Sequence, residues 1–489
     1  MTTGIFVLRL NYPKIWNFFR SFQNHLFYSF LGIPYAKPPV GPARFNYSEP
    51  IEPWNGVFDA DRHMPCLQFE QATSYIRGVE DCLVVSIYTP KLPSVEDPLL
   101  IPVFVWLHGN DFHRGSGNAD LQGPNRIMDY DVIMVTMNFR LGPLGFMTLE
   151  DDTLPGNLGL WDQKLALEWI QLNIASFGGD PEKITIGKVK HLRKYFMIFS
   201  PGFFLIAGSG AGGTSVLLHY ISPHSCGLFR SAIALSPTSF PSTNVSHYTK
   251  ALVSKLGCDS PEKILECLST KTSEAFVRKA YMFTSPNMNW APMPFTAIID
   301  DFATKPFVPL HPLEAIKKGL FNDVPLIIGH NRDEGASILT QLTHNMTIFD
   351  HFLKHWNKIA PVMLFNKLEQ DLENEHFEVV KILNQRYFGQ ENGPKSRGNF
   401  LANFGQFYTD AKVGFHVHYI AKEVFRKSES PIFQYLYSHA GSLSLAEVVH
   451  LDFWQVLWKV RHSVSKVHFV FSSNSSNLKL DKIRMGLNV

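Results

Sequence analysis

The sequence lacks the features that define membrane-spanning, fibrous and nucleic-acid-binding proteins. No apolar run approaches the roughly 18 residues that a transmembrane helix needs, and the longest, 195–207, is interrupted by Pro201 and Gly202. No fixed period recurs, which excludes collagen-like, coiled-coil and repeat architectures. The formal net charge is only +2 and no dense basic block is present. We therefore expect no nucleic-acid partner.

Targeting signals and cysteines are also scarce. The apolar stretch Gly4–Leu8 is too short for the core of a signal peptide, so none is visible in this chain. Pairing Cys66 with Cys82 and Cys258 with Cys267 would close two small loops and leave Cys226 over, but the sequence alone leaves the pairing open. Four glycosylation sequons begin at Asn46, Asn244, Asn345 and Asn474. Sequons also arise by chance, so a secreted origin stays open on these facts.

The chain is rich in apolar residues, at 45%, against 18% charged residues, which is enough for a substantial core. The near-continuously apolar segments Ile101–His108 and Val132–Asn138 are typical of strands buried on both faces. Leu160–Ile174 has the apolar spacing of an amphipathic helix. Such strands alternating with helices predict an α/β fold with a mostly parallel central sheet flanked by helices, and 340–430 is predicted to be mainly helical.

The predicted organisation is an irregular segment 1–26, one domain over 27–471 and a polar tail 472–489. The stretch 187–207 interrupts it, because strand Ile184–Ile186 should run almost directly into the glycine-rich turn at 208. Two explanations are open. Phe203–Ala207 replaces Ile184–Ile186 as the central strand, or the stretch is translated intron sequence, which we favour because long loops rarely fit at a sheet's centre.

A series of motifs follows one order along the chain, and the series is more specific than any member. It comprises Phe30-Leu-Gly-Ile-Pro-Tyr-Ala36, Glu80-Asp-Cys-Leu83, Val105-Trp-Leu-His-Gly109, Asn138-Phe-Arg-Leu-Gly142, Gly156-Asn-Leu-Gly159 and Asn173-Ile-Ala-Ser-Phe-Gly-Gly-Asp-Pro181. This series resembles the type-B carboxylesterase/cholinesterase family of the α/β-hydrolase fold, from about Phe27 to Phe471. The resemblance implies ester hydrolysis by a Ser–Glu–His triad, with the serine on a strained strand-to-helix turn, G-x-S-x-G.

The catalytic positions of that family are only partly filled here. The turn reads Gly208-Ser-Gly-Ala-Gly212, so Gly210 occupies the nucleophile position and offers no hydroxyl. Glu334, in Asn331-Arg-Asp-Glu-Gly335, takes the acid position. His462 is the best base candidate, with His450 and His468 as rivals. In the segment that aligns with the family's His-Gly-Gly-Gly loop, Asn110 and Asp111 replace glycines; with Ala211 they are the oxyanion-hole positions that the resemblance implies.

From these losses we expect a catalytically silent member, similar to the glutactin-, neurotactin-, gliotactin- and neuroligin-like branch. That resemblance implies extracellular binding or cell adhesion, a protein partner at the cell surface or in matrix, and disulfides Cys66–Cys82 and Cys258–Cys267. A homodimer and a small apolar ligand in a residual pocket are further expectations. We expect no cofactor and no metal.

Two other functions are alternatives. An active carboxylic-ester hydrolase is supported by the framework and opposed by Gly210, Asn110 and Asp111. A dinucleotide-binding module is suggested by Gly208-x-Gly210-x-x-Gly213, but the ribose-binding acid expected about 20 residues later is missing.

Overall fold

The computed structural model describes residues 17–70, 75–93, 100–119, 123–181, 204–237, 241, 245–283, 293–438 and 468–472. Contacts within the chain define two compact units. Unit 1 holds the described residues of Met1–Ala234, Ser239–Phe283 and Pro294–Pro325. Unit 2 holds those of Leu235–Thr238, Thr284–Met293 and Leu326–Val489.

The strands of unit 1 build a sheet in the order β1-β2-β5-β7-β6-β10-β11. At its centre β6 pairs in parallel with both β7 and β10, while β1, β2, β5 and β7 pair with one another in antiparallel fashion. The strands are β1 (Asn17–Arg20), β2 (Leu26–Pro34), β3 (Gln68–Glu70), β4 (Tyr75–Arg77), β5 (Val84–Thr89), β6 (Val103–Leu107), β7 (Ile133–Met137), β8 (Thr148–Asp151), β9 (Leu154–Pro155), β10 (Phe204–Ser209) and β11 (Ser231–Leu235), whose last residue is assigned to unit 2.

Helices of unit 1 pack beside this sheet. All eleven residues of α3 are buried, so this helix lies inside the unit and not on its surface. The helices are α1 (Gly142–Phe146), α2 (Leu158–Asn173), α3 (Ala211–Ile221), α4 (Val245–Lys255), α5 (Ile264–Thr270), α6 (Ser273–Tyr281) and α7 (Pro312–Lys318). Helix α7 shows why such segments begin and end where they do: Pro312 is its first residue, and Gly319 ends it with φ of 77°.

Unit 2 is mainly helical, as the sequence predicts for 340–430. Its strands, β12 (Leu326–Asn331), β13 (Ile432–Tyr437) and β14 (His468–Ser472), lie in that order, with β12 and β13 parallel. The helices are α8 (Ala336–His344), α9 (Met346–Lys354), α10 (Trp356–Phe365), α11 (Asn374–Phe388), α12 (Arg397–Tyr408) and α13 (Phe415–Lys427). Their core is aromatic: the buried Trp356 ring contacts Phe352, Phe388, Phe400 and Phe407.

The strand that leads into the glycine-rich turn is Phe204–Ser209. It pairs with β6, with Phe204 opposite Val103 and Gly208 opposite Leu107. Most of the stretch 187–207, and Ile184–Ile186 before it, lie outside the described residues. The central position beside β6 is therefore held by the segment that the sequence names as the replacement strand, while the intron origin of the stretch stays a prediction.

Two of the sequence motifs hold unit 1 together through buried ion pairs. Arg140, in the Asn138–Gly142 motif, donates from Nη2 to Asp162 at 2.7 Å and from Nε at 2.8 Å. Arg44 donates from Nη2 to Glu80 at 3.1 Å. Because removing one partner would leave a buried charge unpaired, each motif residue depends on the other member of its pair.

Candidate functional site: the turn at Gly210

The candidate site is built around the turn between β10 and α3. Gly210 lies there with φ of 59° and ψ of −122°, a backbone conformation that residues other than glycine rarely adopt. Its carbonyl accepts the N–H of Thr214 at 2.9 Å, which starts the helix directly after the turn. A Cβ at Gly208 would clash with the backbone of Gly212, so the strand and helix can approach this closely only because residue 208 is a glycine.

Crowding does not explain glycine at position 210. A Cβ built there meets no atom within 4 Å among the described residues. The turn thus combines dihedrals that disfavour a side chain with room for one, and this chain carries no hydroxyl there. Ser209 is the last residue of β10, and the strained dihedrals belong to the residue after it.

A second loop lies against this turn. Gly109 packs so closely on the carbonyl of Ser209 that a Cβ would clash with it, and the same Cβ would lie 3.7 Å from the N atom of Ala211. The next three residues all have positive φ: 77° at Asn110, 54° at Asp111 and 62° at Phe112. Three successive non-glycine residues in the left-handed region store backbone strain. The loop therefore follows a path that glycines adopt more readily than the residues it carries.

The loop begins at a buried neutral histidine. The His108 ring stacks on Phe139 with ring centres 4.3 Å apart, and its exposed fraction is 3%. Burial lowers the pKa of His108 to about 4. At neutral pH this imidazole is uncharged and acts as a packing element beneath the loop.

The predicted acid, Glu334, lies in the turn after β12 in unit 2. Its Oε1 accepts the hydroxyl of Ser236 at 2.5 Å and the N–H of Asn331 at 2.7 Å. Both bonds fix the orientation of the carboxylate. Burial, and secondarily the charge of Glu334, raises the pKa of the Tyr435 hydroxyl. The Glu334 carboxylate is thus fixed by hydrogen bonds within the protein and is not a freely solvated turn residue.

Three polar residues that contact these segments were not identified from the sequence. Ser236 bonds to Glu334, and the side-chain amides of Gln68 and Asn138 bond to Gly115 and Gly117 in the loop that follows His108. The signal for Ser236 is its position directly after the apolar strand Ser231–Leu235, because strand ends commonly carry site residues in α/β folds. Asn138 carries the same signal, since it directly follows β7. No such local pattern marks Gln68, because its partner Gly115 lies 47 residues away along the chain.

The predicted residues divide into those that the structure places and those that it does not describe. It brings Asn110, Asp111, Gly210 and Ala211 together in unit 1 and places Glu334 in unit 2. Four of the remaining predicted residues lie outside the described residues: His462, His450, Asn244 and Asn474. The side chain of His468 is not described either, although its backbone forms the start of β14. Sequons Asn46 and Asn345 are exposed, and their glycosylation stays a prediction.

Both predicted disulfides are present. Cys66 bonds to Cys82 and Cys258 to Cys267, and the Cys226 thiol is exposed and outside either bond. Across the described part of the chain, no group of three or more His, Cys, Asp or Glu residues is placed to hold a metal ion. None of the helices described is long and apolar enough to cross a bilayer.

A family model described as the carboxylesterase family matches residues 18–188 and 201–483. The chain belongs to the carboxylesterase family. Among curated relatives, esterase FE4 of Myzus persicae is 34% identical over 436 residues, covering 87% of this chain and 72% of the relative. Juvenile hormone esterase of Tribolium castaneum is 32% identical over 453 residues, covering 87% and 71%. Venom carboxylesterase-6 of Apis mellifera is 31% identical over 444 residues, covering 88% and 74%.

Solved structures agree with this membership. The juvenile hormone esterase of Manduca sexta, with OTFP covalently attached, matches with a TM-score of 0.73 at 26% identity, covering 88% of this chain and 78% of that one. A PNB esterase matches with a TM-score of 0.63 at 28% identity, covering 86% and 78%. The α/β-hydrolase fold predicted from the sequence is confirmed.

The predicted place of this chain within the family is not supported. The relatives named above are esterases, and none of them points to the glutactin-, neurotactin-, gliotactin- or neuroligin-like branch. The assignment to that branch rests mainly on glycine at position 210. A single lost side chain records a change in chemistry, and it does not by itself identify the lineage in which the change occurred.

Proposed function

We propose that this carboxylesterase-family protein binds carboxylic esters at the Gly210 turn and does not hydrolyse them. The observation that carries the proposal is position 210 itself, which combines a strained strand-to-helix turn and open space with the absence of a hydroxyl. A hydroxyl activated by a histidine is what attacks the ester carbonyl in a Ser–His–acid triad. Without it, binding persists and the covalent step does not begin.

Ester binding in this proposal uses the backbone that the loop and the turn retain. The N–H groups of Asn110, Asp111 and Ala211 are the donors for the ester carbonyl oxygen. The positive φ values of the first two keep the loop on its glycine-like path. The Asp111 carboxylate adds negative charge where an oxyanion would develop, which opposes turnover more than it opposes binding of a neutral ester. His462 as the base position and Glu334 as the acid position stay predictions from the sequence.

Hydrolysis is the second candidate, and the comparisons favour it over adhesion. The relatives are esterases by name and their similarity extends over most of this chain. If this chain is active, its nucleophile lies elsewhere than position 210, which is a glycine. The serine next to that position in the sequence is Ser209. A protein partner at the cell surface stays a prediction that none of these relatives supports.

The experiment compares the full chain with its Ser209→Ala variant in the presence of p-nitrophenyl butyrate. The proposal expects the ester to raise the melting temperature of both proteins, because a ligand that binds only the folded state stabilises it. It expects no nitrophenol release above the buffer rate from either protein.

Release by the wild type that disappears in Ser209→Ala would establish hydrolysis with Ser209 as nucleophile. Release that persists in Ser209→Ala would establish hydrolysis through another group. No thermal shift and no release would overturn ester binding altogether.

We further propose that the protein is extracellular. The two disulfides and the exposed sequons at Asn46 and Asn345 support this, as does a relative named for venom. Secretion from insect cells with a mass that falls on removal of N-linked glycans is the expected result. Retention of an unglycosylated chain inside the cells would contradict it.

A further inference from the structure

The loop beside Gly210 is held by a side-chain amide from outside it. Gln68 is 9% exposed and lies two residues after Cys66. Its Nε2 donates to the carbonyl of Gly115 at 2.8 Å, and its Oε1 accepts the N–H of Gly115 at 2.9 Å. The same Nε2 donates to the carbonyl of Cys66 at 2.9 Å. One amide thus satisfies both backbone groups of a loop residue and joins that residue to a disulfide.

A second amide holds the next turn of the loop. The Oδ1 of Asn138 accepts the N–H of Gly117 at 3.0 Å and the hydroxyl of Ser116 at 3.3 Å. Its Nδ2 donates to the carbonyls of Met64 at 2.7 Å and Cys82 at 3.1 Å. Asn138 is 1% exposed, so these bonds form out of reach of water. The two amides reach the two cysteines of a single disulfide.

The buried surroundings of Asn138 reinforce this arrangement. The ring of His63 lies with Nε2 2.8 Å from Asn138 Oδ1 and Nδ1 2.5 Å from the hydroxyl of Ser86. Burial lowers the pKa of His63. This Ser–His–Asn set resembles a catalytic triad in its bonding, but Ser86 is 0% exposed and no substrate can reach it. Its role is to fix the Asn138 amide in one orientation.

The held residues are continuous with the ester-binding positions. Gly115 has φ of 118° and packs directly on the His108 ring, since a Cβ there would clash with Nδ1. His108 in turn begins the segment that carries Asn110 and Asp111. A shift of Gly115 would therefore displace the His108 ring and the backbone of Asn110 and Asp111 that follows it.

We propose that Gln68 and Asn138 are positioning residues which tie the loop 108–117 to the Cys66–Cys82 disulfide, so that this disulfide sets the geometry of the ester-binding backbone. The inference rests on the proposed function for its effect on ligand binding. Its structural part, the restraint of the loop, stands apart from any ligand and is measured separately.

The test uses the full chain with Gln68→Met, which keeps the length of the side chain and removes its hydrogen bonds. The matched control is Gln163→Met, because Gln163 is also buried and bonds to Ser215 and His219, outside the loop. Amide hydrogen exchange is followed over 108–117 and over α2. We expect exchange in 108–117 to accelerate at least about tenfold in Gln68→Met alone, since the three hydrogen bonds of the Gln68 amide are lost.

Ester affinity is the second readout, measured with p-nitrophenyl butyrate by thermal titration. Gln68→Met should weaken it about tenfold, while Gln163→Met lowers the melting temperature without changing the affinity. The disulfide is tested in the same way with Cys66→Ser/Cys82→Ser against Cys258→Ser/Cys267→Ser, and only the first pair should accelerate exchange in 108–117.

Equal exchange in 108–117 for Gln68→Met and Gln163→Met would overturn the inference, whatever the ligand does. If the wild type binds no ester, the proposed function fails, and the exchange data still decide the restraint. If the Cys66→Ser/Cys82→Ser chain does not fold, Gln68→Met carries the decision. Accelerated exchange with unchanged ester affinity would overturn the part that links the disulfide to the site.

Discussion

Substituting Gly210 tests the turn geometry and the chemistry together. Gly210→Ser supplies the missing hydroxyl, and Gly210→Ala is the matched control that adds the same Cβ without it. No described atom lies within 4 Å of that Cβ, so no steric clash contributes. The cost is backbone strain alone, at φ of 59° and ψ of −122°. Such a conformation costs a non-glycine residue about 1–3 kcal/mol, and we expect both variants to lose that amount.

The two variants should differ in activity. Losing a triad nucleophile costs a factor of about 10⁶ in rate, and an impaired oxyanion donor costs about 10²–10³. With Asn110 and Asp111 still in the loop, Gly210→Ser should therefore hydrolyse p-nitrophenyl butyrate at least about 10³-fold faster than the wild type. Gly210→Ala should stay at the wild-type rate.

Urea unfolding measures the first effect and nitrophenol release the second. If Gly210→Ala unfolds at the same urea concentration as the wild type, the strained geometry assigned to the turn is wrong. If Gly210→Ser is as destabilised as Gly210→Ala and remains inactive, residue 210 is not the nucleophile position.

Three further changes follow from individual residues. Because Asp111 has φ of 54°, Asp111→Gly should be more stable than Asp111→Ala by about 1 kcal/mol in urea unfolding, and the reverse order would contradict the positive φ. Burial lowers the pKa of His219 to about 3, so its contribution is complete above about pH 6.5 and is lost as pH falls towards 3. His219→Gln should make the fall of unfolding free energy between about pH 6 and 4 shallower by up to about 1.4 kcal/mol per pH unit, and an unchanged slope would refute the assignment. Asn345 caps α9 by accepting the N–H groups of Thr347 and Ile348, so Asn345→Ala should cost about 1 kcal/mol, while Asn345→Asp should keep the cap and lose any glycan; equal stability of the two would contradict the cap.

Local sequence patterns predict the strands and helices that surround the turn. The apolar run Ile101–His108 contains β6, and Val132–Asn138 contains β7, because strands buried on both faces need apolar residues throughout. Leu160–Ile174 coincides with α2 to within two residues at its start. These elements depend on short-range periodicity, which one sequence displays directly.

Long-range pairings could not be predicted in the same way. The bonds of Gln68 to Gly115 and of Ser236 to Glu334 join residues 47 and 98 positions apart. An amide or a hydroxyl has no periodic signature, so nothing local marks its partner. The positive φ of Asn110 and Asp111 was hidden for another reason. A non-glycine residue in such a loop suggests a backbone with negative φ. The packing of Gly109 on Ser209 instead keeps the loop backbone close to the turn, and Asn110 and Asp111 have strained, positive φ values.

Intact-mass analysis of the wild-type chain after treatment with a fluorophosphonate tests the central claim most directly, because this probe modifies only an activated serine. Gly210→Ser, treated in parallel, shows that the probe can reach the turn. The account predicts an unchanged mass for the wild type and one added phosphonyl group, on residue 210, for Gly210→Ser. One added group on a serine of the wild type would contradict the account and establish an active esterase.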